Sequence, residues 1–192
     1  AGGQYGPPSV HHLELTGEAE TALLVGSKTM PTIPPGAAFF LGMNYPPARK
    51  MIDAGLGVAI ASDFNPGSSP SGNMKFILSL ACIKLRMNPQ EAIHAATQNS
   101  AYAMGLQRTH GSITKGKVAN LWITEPVSSL EFILYAYGTS LTAGLVLKGK
   151  RVLSPLSVTN RQRGGEKPFP PTPSISYRTP SADPLTSTPS RP

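Results

Sequence analysis

A short apolar segment that leads to a single carboxylate constrains the fold of this chain more than any other feature. Residues 56–61 are small, apolar and suited to a buried β-strand, and Asp63 follows two positions later. The turn-forming run NPGSSPSG (65–72) comes next, and an amphipathic helix is predicted to begin near Asn73. α/β barrels present catalytic side chains in this way, at the carboxyl end of a buried strand. On spacing alone, an aspartate that caps a helix or a turn is an equally good interpretation.

The clearest local signal is a helix over residues 88–105. Asn88 is a good N-cap, a proline occupies the first helical position, and Glu91 completes a capping box. Apolar residues then recur at helical spacing up to Gly105, a typical residue after a helix end. His94 lies in this helix, and we expect it on the helix surface.

The remaining elements are shorter and follow from alternation and turn residues. We predict strands near 9–13, 29–33, 112–115 and 118–124, helices from 16–17 and over 48–54, and a hairpin over 145–153 with its turn at Gly149-Lys150. Residues 34–45, which contain Phe39-Phe40, are predicted to form a loop.

The composition of the chain bears on whether it binds nucleic acid or a membrane and on the cellular compartment in which it works. The net charge is +7, from 17 basic and 10 acidic residues. Five of the basic and two of the acidic residues fall in 154–192, which leaves +4 (12 − 8) elsewhere without a cluster, so nucleic-acid binding is poorly supported. No apolar run approaches the ~20 residues of a membrane span, and no secretory signal pattern is visible. The single cysteine, Cys82, is predicted to be a core residue of a cytoplasmic protein.

The two ends of the chain differ in composition from the rest. Residues 1–8 are rich in Gly and Pro and are predicted to be a flexible lead. Residues 154–192 contain nine prolines and many Ser and Thr, which predicts a disordered tail because little apolar surface is available to bury. A loose PxxP pattern at 168–173 leaves open a ligand for SH3-like domains.

Four segments carry a family resemblance that covers roughly residues 9–153. They are SVHHLELTGEAE, MPTIPPGAAFFLGMNYPPARKMIDAGL, SDFNPGSSPSGN and the run from LACIKLRMNPQEAIHAATQNSAYAMGL to GSITKGKVANLWI. Together they resemble the C-terminal half of imidazolonepropionase, a metal-dependent amidohydrolase of histidine breakdown. The resemblance implies an α/β fold, with the C-terminal part of a (β/α)₈ barrel in 9–110 and elements of a small β-sandwich in 111–153. A full barrel takes about 250 residues, so we expect a longer parent enzyme.

The resemblance also implies a reaction and the residues that perform it. The family hydrolyses a C–N bond of 4-imidazolone-5-propanoate to give N-formimino-L-glutamate, with Zn²⁺ or Fe²⁺. Asp63 matches the last metal ligand, and its carboxylate would carry the proton of water to the departing nitrogen. His12 matches a histidine near the reacting centre, where it would polarise the imidazolone oxygen or orient the attacking water. The family commonly has Asp where this chain has His11, so a candidate orienting carboxylate is missing.

The loop after Asp63 is where the resemblance implies substrate binding. Asn65, Gly67 and Ser68 match positions that contact the substrate or the product. Asn65 offers a donor and an acceptor, and the backbone N–H groups around Gly67 are open to a carboxylate. From the residues alone, a tight surface turn explains the same composition.

Other features limit or compete with this interpretation. The metal-binding HxH pair and third histidine of the family precede the position of His12, and the sequence contains no HxH. We therefore expect this chain alone to bind no metal tightly and to be inactive. The full-length family implies a homodimer. A different cyclic-amide hydrolase and a non-catalytic interaction protein that uses the proline-rich tail are the alternatives, and no role is assigned to His110.

Overall fold

A computed structural model describes residues 8–153 of the chain. The elements in order are β1 (Ser9–His11), α1 (Glu18–Val25), β2 (Met30–Ile33), α2 (Pro35–Leu41), α3 (Ala48–Asp53), β3 (Ala59–Ile60), α4 (Met74–Ile83), α5 (Pro89–His94), a π-helical turn (Ala95–Asn99), α6 (Ser100–Ala103), β4 (Leu121–Thr124), α7 (Leu130–Tyr135), β5 (Thr142–Leu147) and β6 (Lys150–Leu153). None of the helices in this range is long and apolar enough to cross a membrane. The predicted flexible lead lies almost wholly outside the described residues, and the predicted tail over 154–192 lies entirely outside them.

Three parallel strands form the sheet that positions the site. Their order is β1-β2-β3, with His11 opposite Thr32 and Thr32 opposite Ala59. Helices connect the strands, as parallel pairing requires. Ile33 of the central strand is fully buried and packs in one apolar cluster with residues from α3, α4 and α5. All three strands therefore end at the same edge of the sheet.

The second sheet is antiparallel and has the order β4-β5-β6. Lys148 and Gly149 both have positive φ, at 50° and 78°, which suits the primed turn of a two-residue hairpin. The hairpin prediction is confirmed, although the turn lies one residue earlier than expected. The predicted strand 112–115 is wrong, because this segment is irregular and Ile113 is 90% exposed.

The predicted loop 34–45 is also wrong over most of its length, because α2 occupies it. Pro35 stands at the first helical position, where its fixed φ favours a helix, and Gly42 ends the helix at φ 66°. The small residues of the first turn are buried, and Gly36 among them lies close to Ile77 of α4. Phe39 packs edge-to-face on Phe76 of α4, with ring centroids 5.1 Å apart. Tertiary packing of small residues thus overrides the turn signal of Pro-Pro-Gly.

The predicted helix over 88–105 is confirmed at both ends. The Asn88 side chain accepts a hydrogen bond from the Glu91 amide, and the Glu91 carboxylate accepts one from the Asn88 amide, each at 2.8 Å. The middle of this helix is the π-helical turn, which the sequence did not predict. Its last residue, Asn99, donates to the Val58 carbonyl at 2.8 Å, and the next residue, Ser100, donates to the Ile60 carbonyl at 3.0 Å. These two bonds attach the helix to β3, which is shorter than the predicted strand 56–61.

An ion pair fastens α3 to the start of α5. Arg49 donates from both terminal nitrogens to the Glu91 carboxylate, at 2.9 and 3.1 Å, and from Nε to Asp53 at 2.9 Å. The bidentate bond from Arg49 lowers the pKa of Glu91, and the same bond raises the pKa of Arg49. This fork therefore holds two helices of the core in register.

Candidate active site

The carboxyl ends of β1 and β3 place two candidate site residues at one edge of the parallel sheet. His12 directly follows β1, and Asp63 lies three residues after the end of β3. Only β2 separates these strands, so their ends are roughly 10 Å apart at the usual strand spacing. This is the edge at which barrels and open parallel sheets collect functional groups.

Both residues lie in strained backbone. His12 has a φ of 74°, Leu13 of 69° and Asp63 of 49°. Such values are uncommon for residues other than glycine, although Asp and His tolerate them better than most. Strained residues concentrate at sites where function requires a fixed side-chain direction. Arg86 and Lys148 also have positive φ, at 59° and 50°, so the backbone conformation alone does not single out a site.

Asp63 presents a half-buried carboxylate with few partners. The Ser68 hydroxyl donates to its Oδ2 at 3.3 Å, which is a long contact for an O–H···O bond. Within the described part of the chain, no Lys, Arg or His forms an ion pair with it. A carboxylate that is neither neutralised nor fully hydrogen-bonded retains the lone pairs that a cation would use.

The loop after Asp63 is organised by one side chain. Asn65 Oδ1 accepts from the amides of Gly67 and Ser68, at 2.9 and 2.8 Å. Its Nδ2 donates to the Asp63 carbonyl and to the Ser68 hydroxyl at 2.6 and 2.9 Å. This is an Asx-type turn, in which the side chain replaces a backbone partner. Asn65, Gly67 and Ser68, the predicted substrate contacts, therefore form one hydrogen-bonded unit with Asp63.

A second serine fixes the base of this loop and was missed by the sequence reasoning. Ser69 is 2% exposed, and its hydroxyl donates to the Ser62 carbonyl at 2.7 Å. Gly36 of α2 lies against it, so closely that an added Cβ would fall 2.7 Å from Ser69 Oγ. No local pattern distinguishes Ser69 from its neighbours, because its burial depends on a helix more than thirty positions away.

The surroundings of His12 were also not predicted in full. Its ring is half exposed, and its Nδ1 lies 3.4 Å from Oε1 of Glu14. The adjacent His11 is turned to Ser9, whose hydroxyl is 3.1 Å from His11 Nε2. Glu14 follows His12 by two positions, a spacing that indicates a contact only once the chain turns back on itself.

The other candidates lie apart from this edge. His94 is exposed on its helix, as predicted. His110 lies beside Thr109 Oγ1 at 2.8 Å and lines a cavity of about 290 Å³ with Met30 and Tyr102, away from Asp63. Cys82, predicted to be a core residue, is partly buried against the apolar cluster, and this burial raises the pKa of its thiol. Among the described residues, no three His, Cys, Asp or Glu side chains are grouped as a metal site.

Comparison with known proteins identifies the family. The model of the amidohydrolase family matches residues 18–132, more than half of the chain. The chain belongs to the amidohydrolase family. It is 53% identical over 150 residues to imidazolonepropionase from Flavobacterium johnsoniae, which covers 78% of this chain and 36% of that protein. It is 40% identical over 147 residues to imidazolonepropionase from Bacillus velezensis, covering 76% and 35%. The resemblance found in the sequence is thus confirmed, and the chain spans about a third of these amidohydrolases.

Solved structures of known enzymes confirm the fold. An adenosine deaminase from Xanthomonas campestris with bound zinc has a TM-score of 0.69 and 22% identity, covering 77% of this chain and 37% of that one. An atrazine chlorohydrolase from Arthrobacter aurescens, complexed with zinc and atraton, has a TM-score of 0.68 and 19% identity, covering 77% and 36%. The predicted α/β fold, part of an amidohydrolase barrel, is therefore confirmed.

Proposed function

We propose that this chain supplies the Asp63 and His12 portion of an imidazolonepropionase. The reaction is hydrolysis of the C–N bond of 4-imidazolone-5-propanoate to N-formimino-L-glutamate. One observation carries the proposal: in a chain 53% identical to such an enzyme, Asp63 and His12 occupy the carboxyl ends of parallel strands in one sheet.

The proposal includes a divalent metal, Zn²⁺ or Fe²⁺, with Asp63 as one ligand. The half-buried carboxylate of Asp63 has no cation partner among the described residues, which suits a metal ligand. A bound zinc ion would lower the pKa of its water to about 7. Catalytic zinc usually has three protein ligands, so the site needs donors other than the described residues. Two of the solved relatives contain zinc.

Asp63 and His12 have separate roles in this proposal. The free oxygen of Asp63 accepts a proton from the attacking water and later returns it to the departing ring nitrogen. Its other oxygen contacts Ser68, which limits rotation of the carboxylate. His12 lies at the end of a different strand, so it approaches the substrate from a second direction.

The loop residues would bind the propionate arm of the substrate. In the structure, the amides of Gly67 and Ser68 are both bonded to Asn65 Oδ1. A substrate carboxylate would therefore replace Asn65 as the acceptor of these two N–H groups. That exchange frees the Asn65 side chain, and it couples substrate binding to the loop that carries Asp63.

The remaining parts of the proposal concern the protein as a whole. Its ligand is a small molecule, and the complete enzyme is a cytoplasmic homodimer. The present chain has no turnover by itself, because one carboxylate does not hold a catalytic zinc.

A fusion experiment tests the proposal. The N-terminal part of the Flavobacterium johnsoniae relative is joined to this chain, and metal content and turnover of imidazolone propionate are compared with the chain alone. We expect about one metal ion per fused chain, and turnover that Asp63→Asn abolishes. Asp53→Asn is the matched control, because Asp53 is an exposed carboxylate of α3. A folded fusion that binds metal but has no turnover would refute the substrate assignment, and an active Asp63→Asn variant would refute the site.

A different cyclic-amide substrate is the second candidate. It is favoured by the range of the solved relatives, which includes a guanine deaminase from E. coli with a TM-score of 0.65 and 21% identity. A panel of cyclic amides and amidines offered to the fusion distinguishes the two candidates. Hydrolysis of another ring in preference to imidazolone propionate would establish the alternative. An interaction role for the proline-rich tail concerns residues outside those described.

A further inference from the structure

One buried carboxylate of this chain has no evident purpose in the fold. The Glu14 side chain is only 11% exposed. Its Oε1 is the one buried side-chain oxygen or nitrogen in the described residues that has no hydrogen-bond partner. Burying such a group is unfavourable, and native structures rarely retain one without a reason.

The nearest basic group to this oxygen is the ring of His12. Nδ1 of His12 lies 3.4 Å from Glu14 Oε1, within ion-pair range but longer than the roughly 2.7–2.9 Å of a charge-assisted hydrogen bond. Hydrogen bonds in ligand-free catalytic sites are often long and shorten when the substrate is bound. The contact therefore has the geometry of an incompletely closed His–carboxylate pair.

The backbone is bent in a costly way to create this contact. His12 and Leu13 both have positive φ, which turns the chain and brings Glu14 back beside His12. The Thr16 amide closes the turn on the Leu13 carbonyl at 3.1 Å, and Leu13 itself packs against the core. The His11 ring is turned to Ser9, so it does not compete with His12 for the Glu14 carboxylate.

We propose that Glu14 is a positioning residue for His12. Its carboxylate accepts the Nδ1–H proton, so the neutral ring keeps its lone pair on Nε2. This inference rests on the proposed function of His12 and narrows it. A ring with a lone pair on Nε2 accepts a hydrogen bond from the attacking water, and it does not donate one to the imidazolone oxygen.

The ring tautomer is the direct test and needs no activity. Long-range ¹H–¹⁵N spectra of the 192-residue chain distinguish Nδ1–H from Nε2–H in the neutral form of each ring. The chain has four histidines, so a His12→Gln variant assigns the signal. We expect the Nδ1–H form for His12 in the unchanged chain. Glu14→Met, which is unbranched and of similar length, should return His12 to the Nε2–H form that a free side chain prefers. Glu18→Gln, an exposed acid on α1, should leave it unchanged.

Stability separates positioning from a structural role. Replacing this buried carboxylate by an apolar side chain of similar size removes its desolvation cost and leaves the half-exposed His12 ring free to bond to water, so the thermal midpoint should be unchanged or higher. In the fused enzyme, the same substitution should lower kcat about 10- to 100-fold with little change in KM. An unchanged His12 tautomer in Glu14→Met would overturn the inference, as would Nε2–H in the unchanged chain. If the fusion has no turnover, the proposed function fails, but the tautomer still decides the role of Glu14.

Discussion

The close packing of α2 against the loop of the candidate site predicts a large effect from one methyl group. A Cβ added to Gly36 would lie 2.7 Å from Ser69 Oγ and 2.8 Å from Ile77 Cδ1, closer than such atoms approach in proteins. Ile77 is fully buried, and Ser69 is held by its bond to the Ser62 carbonyl. Gly36→Ala therefore forces a shift at the base of the loop that carries Asp63.

The magnitude follows from three effects. Alanine in place of a helical glycine stabilises by about 1 kcal/mol. Overpacking of a tight core costs about 1–3 kcal/mol, and a buried hydroxyl bond that is broken costs about 1–3 kcal/mol more. The net destabilisation is about 1–5 kcal/mol with a centre near 3. In a chain of this length, a destabilisation of about 3 kcal/mol lowers the thermal midpoint by about 6–12 °C.

Unfolding in urea and by heat measures this destabilisation. Two further variants show whether it arises from the clash with Ser69 and Ile77. Gly42→Ala is the control, because Gly42 has a φ of 66° with open space around it, so only the backbone penalty of about 1–2 kcal/mol applies. Ser69→Ala should cost less in the Gly36→Ala background than alone, since the clash has already broken its bond. A Gly36→Ala protein as stable as the unchanged one would show that α2 does not pack on Ser69 and Ile77, and the reasoning would be refuted.

Further predictions concern the ion pair, a second glycine and the cysteine. Glu91→Gln should cost about 1 kcal/mol at pH 7, a low value because Arg49 is about a third exposed. Because the pKa of Glu91 is lowered from 4.5, the contribution of its carboxylate to stability is complete above that pH and disappears as the pH falls through the lowered value. In urea unfolding, the difference in stability between Glu91→Gln and the unchanged protein should therefore be smaller at pH 3 than at pH 7. An equal difference at both pH values would contradict this. Gly111→Ala should lower the stability in thermal unfolding by about 2–5 kcal/mol, because φ is 90° and the new Cβ would lie 2.8 Å from Ala101 Cβ. An unchanged stability would refute this packing. Cys82, whose pKa is raised by burial, should react slowly with a thiol reagent until the protein unfolds, and native reactivity like that of free cysteine would be inconsistent with the structure.

The sequence predicted those parts of the fold that depend on local chemistry. Asn73 and Asn88 cap their helices through side-chain bonds to amides two or three residues away, so the pattern and the contact coincide. The hairpin between β5 and β6 was predictable for the same reason, because its turn needs only two residues with positive φ. Asp63 was predictable because a strand and a turn surround it in sequence.

The predictions that failed concern segments whose conformation depends on residues far away in the sequence or on an unusual backbone turn. The helix α2 was missed because its first turn is stabilised by burial against Ile77 of α4 and Ser69, and its Pro-Gly start is also a turn signal. Glu14 was missed because its contact with His12 depends on positive φ at both His12 and Leu13. A leucine in the sequence gives no sign of a positive φ. The irregular segment 112–115 alternates like a strand but pairs with no strand in residues 8–153.

The bonds from the π-helical turn region to β3 have a consequence for assembly. The Ala61 amide donates to Ile33 of β2, so by alternation the Val58 and Ile60 carbonyls point to the opposite side of the strand. Those are the two carbonyls that Asn99 and Ser100 occupy. A strand that approaches this border, including one that would continue the barrel, meets two acceptors that already have donors. Any strand that extends the sheet here must compete with two side chains of the same protein.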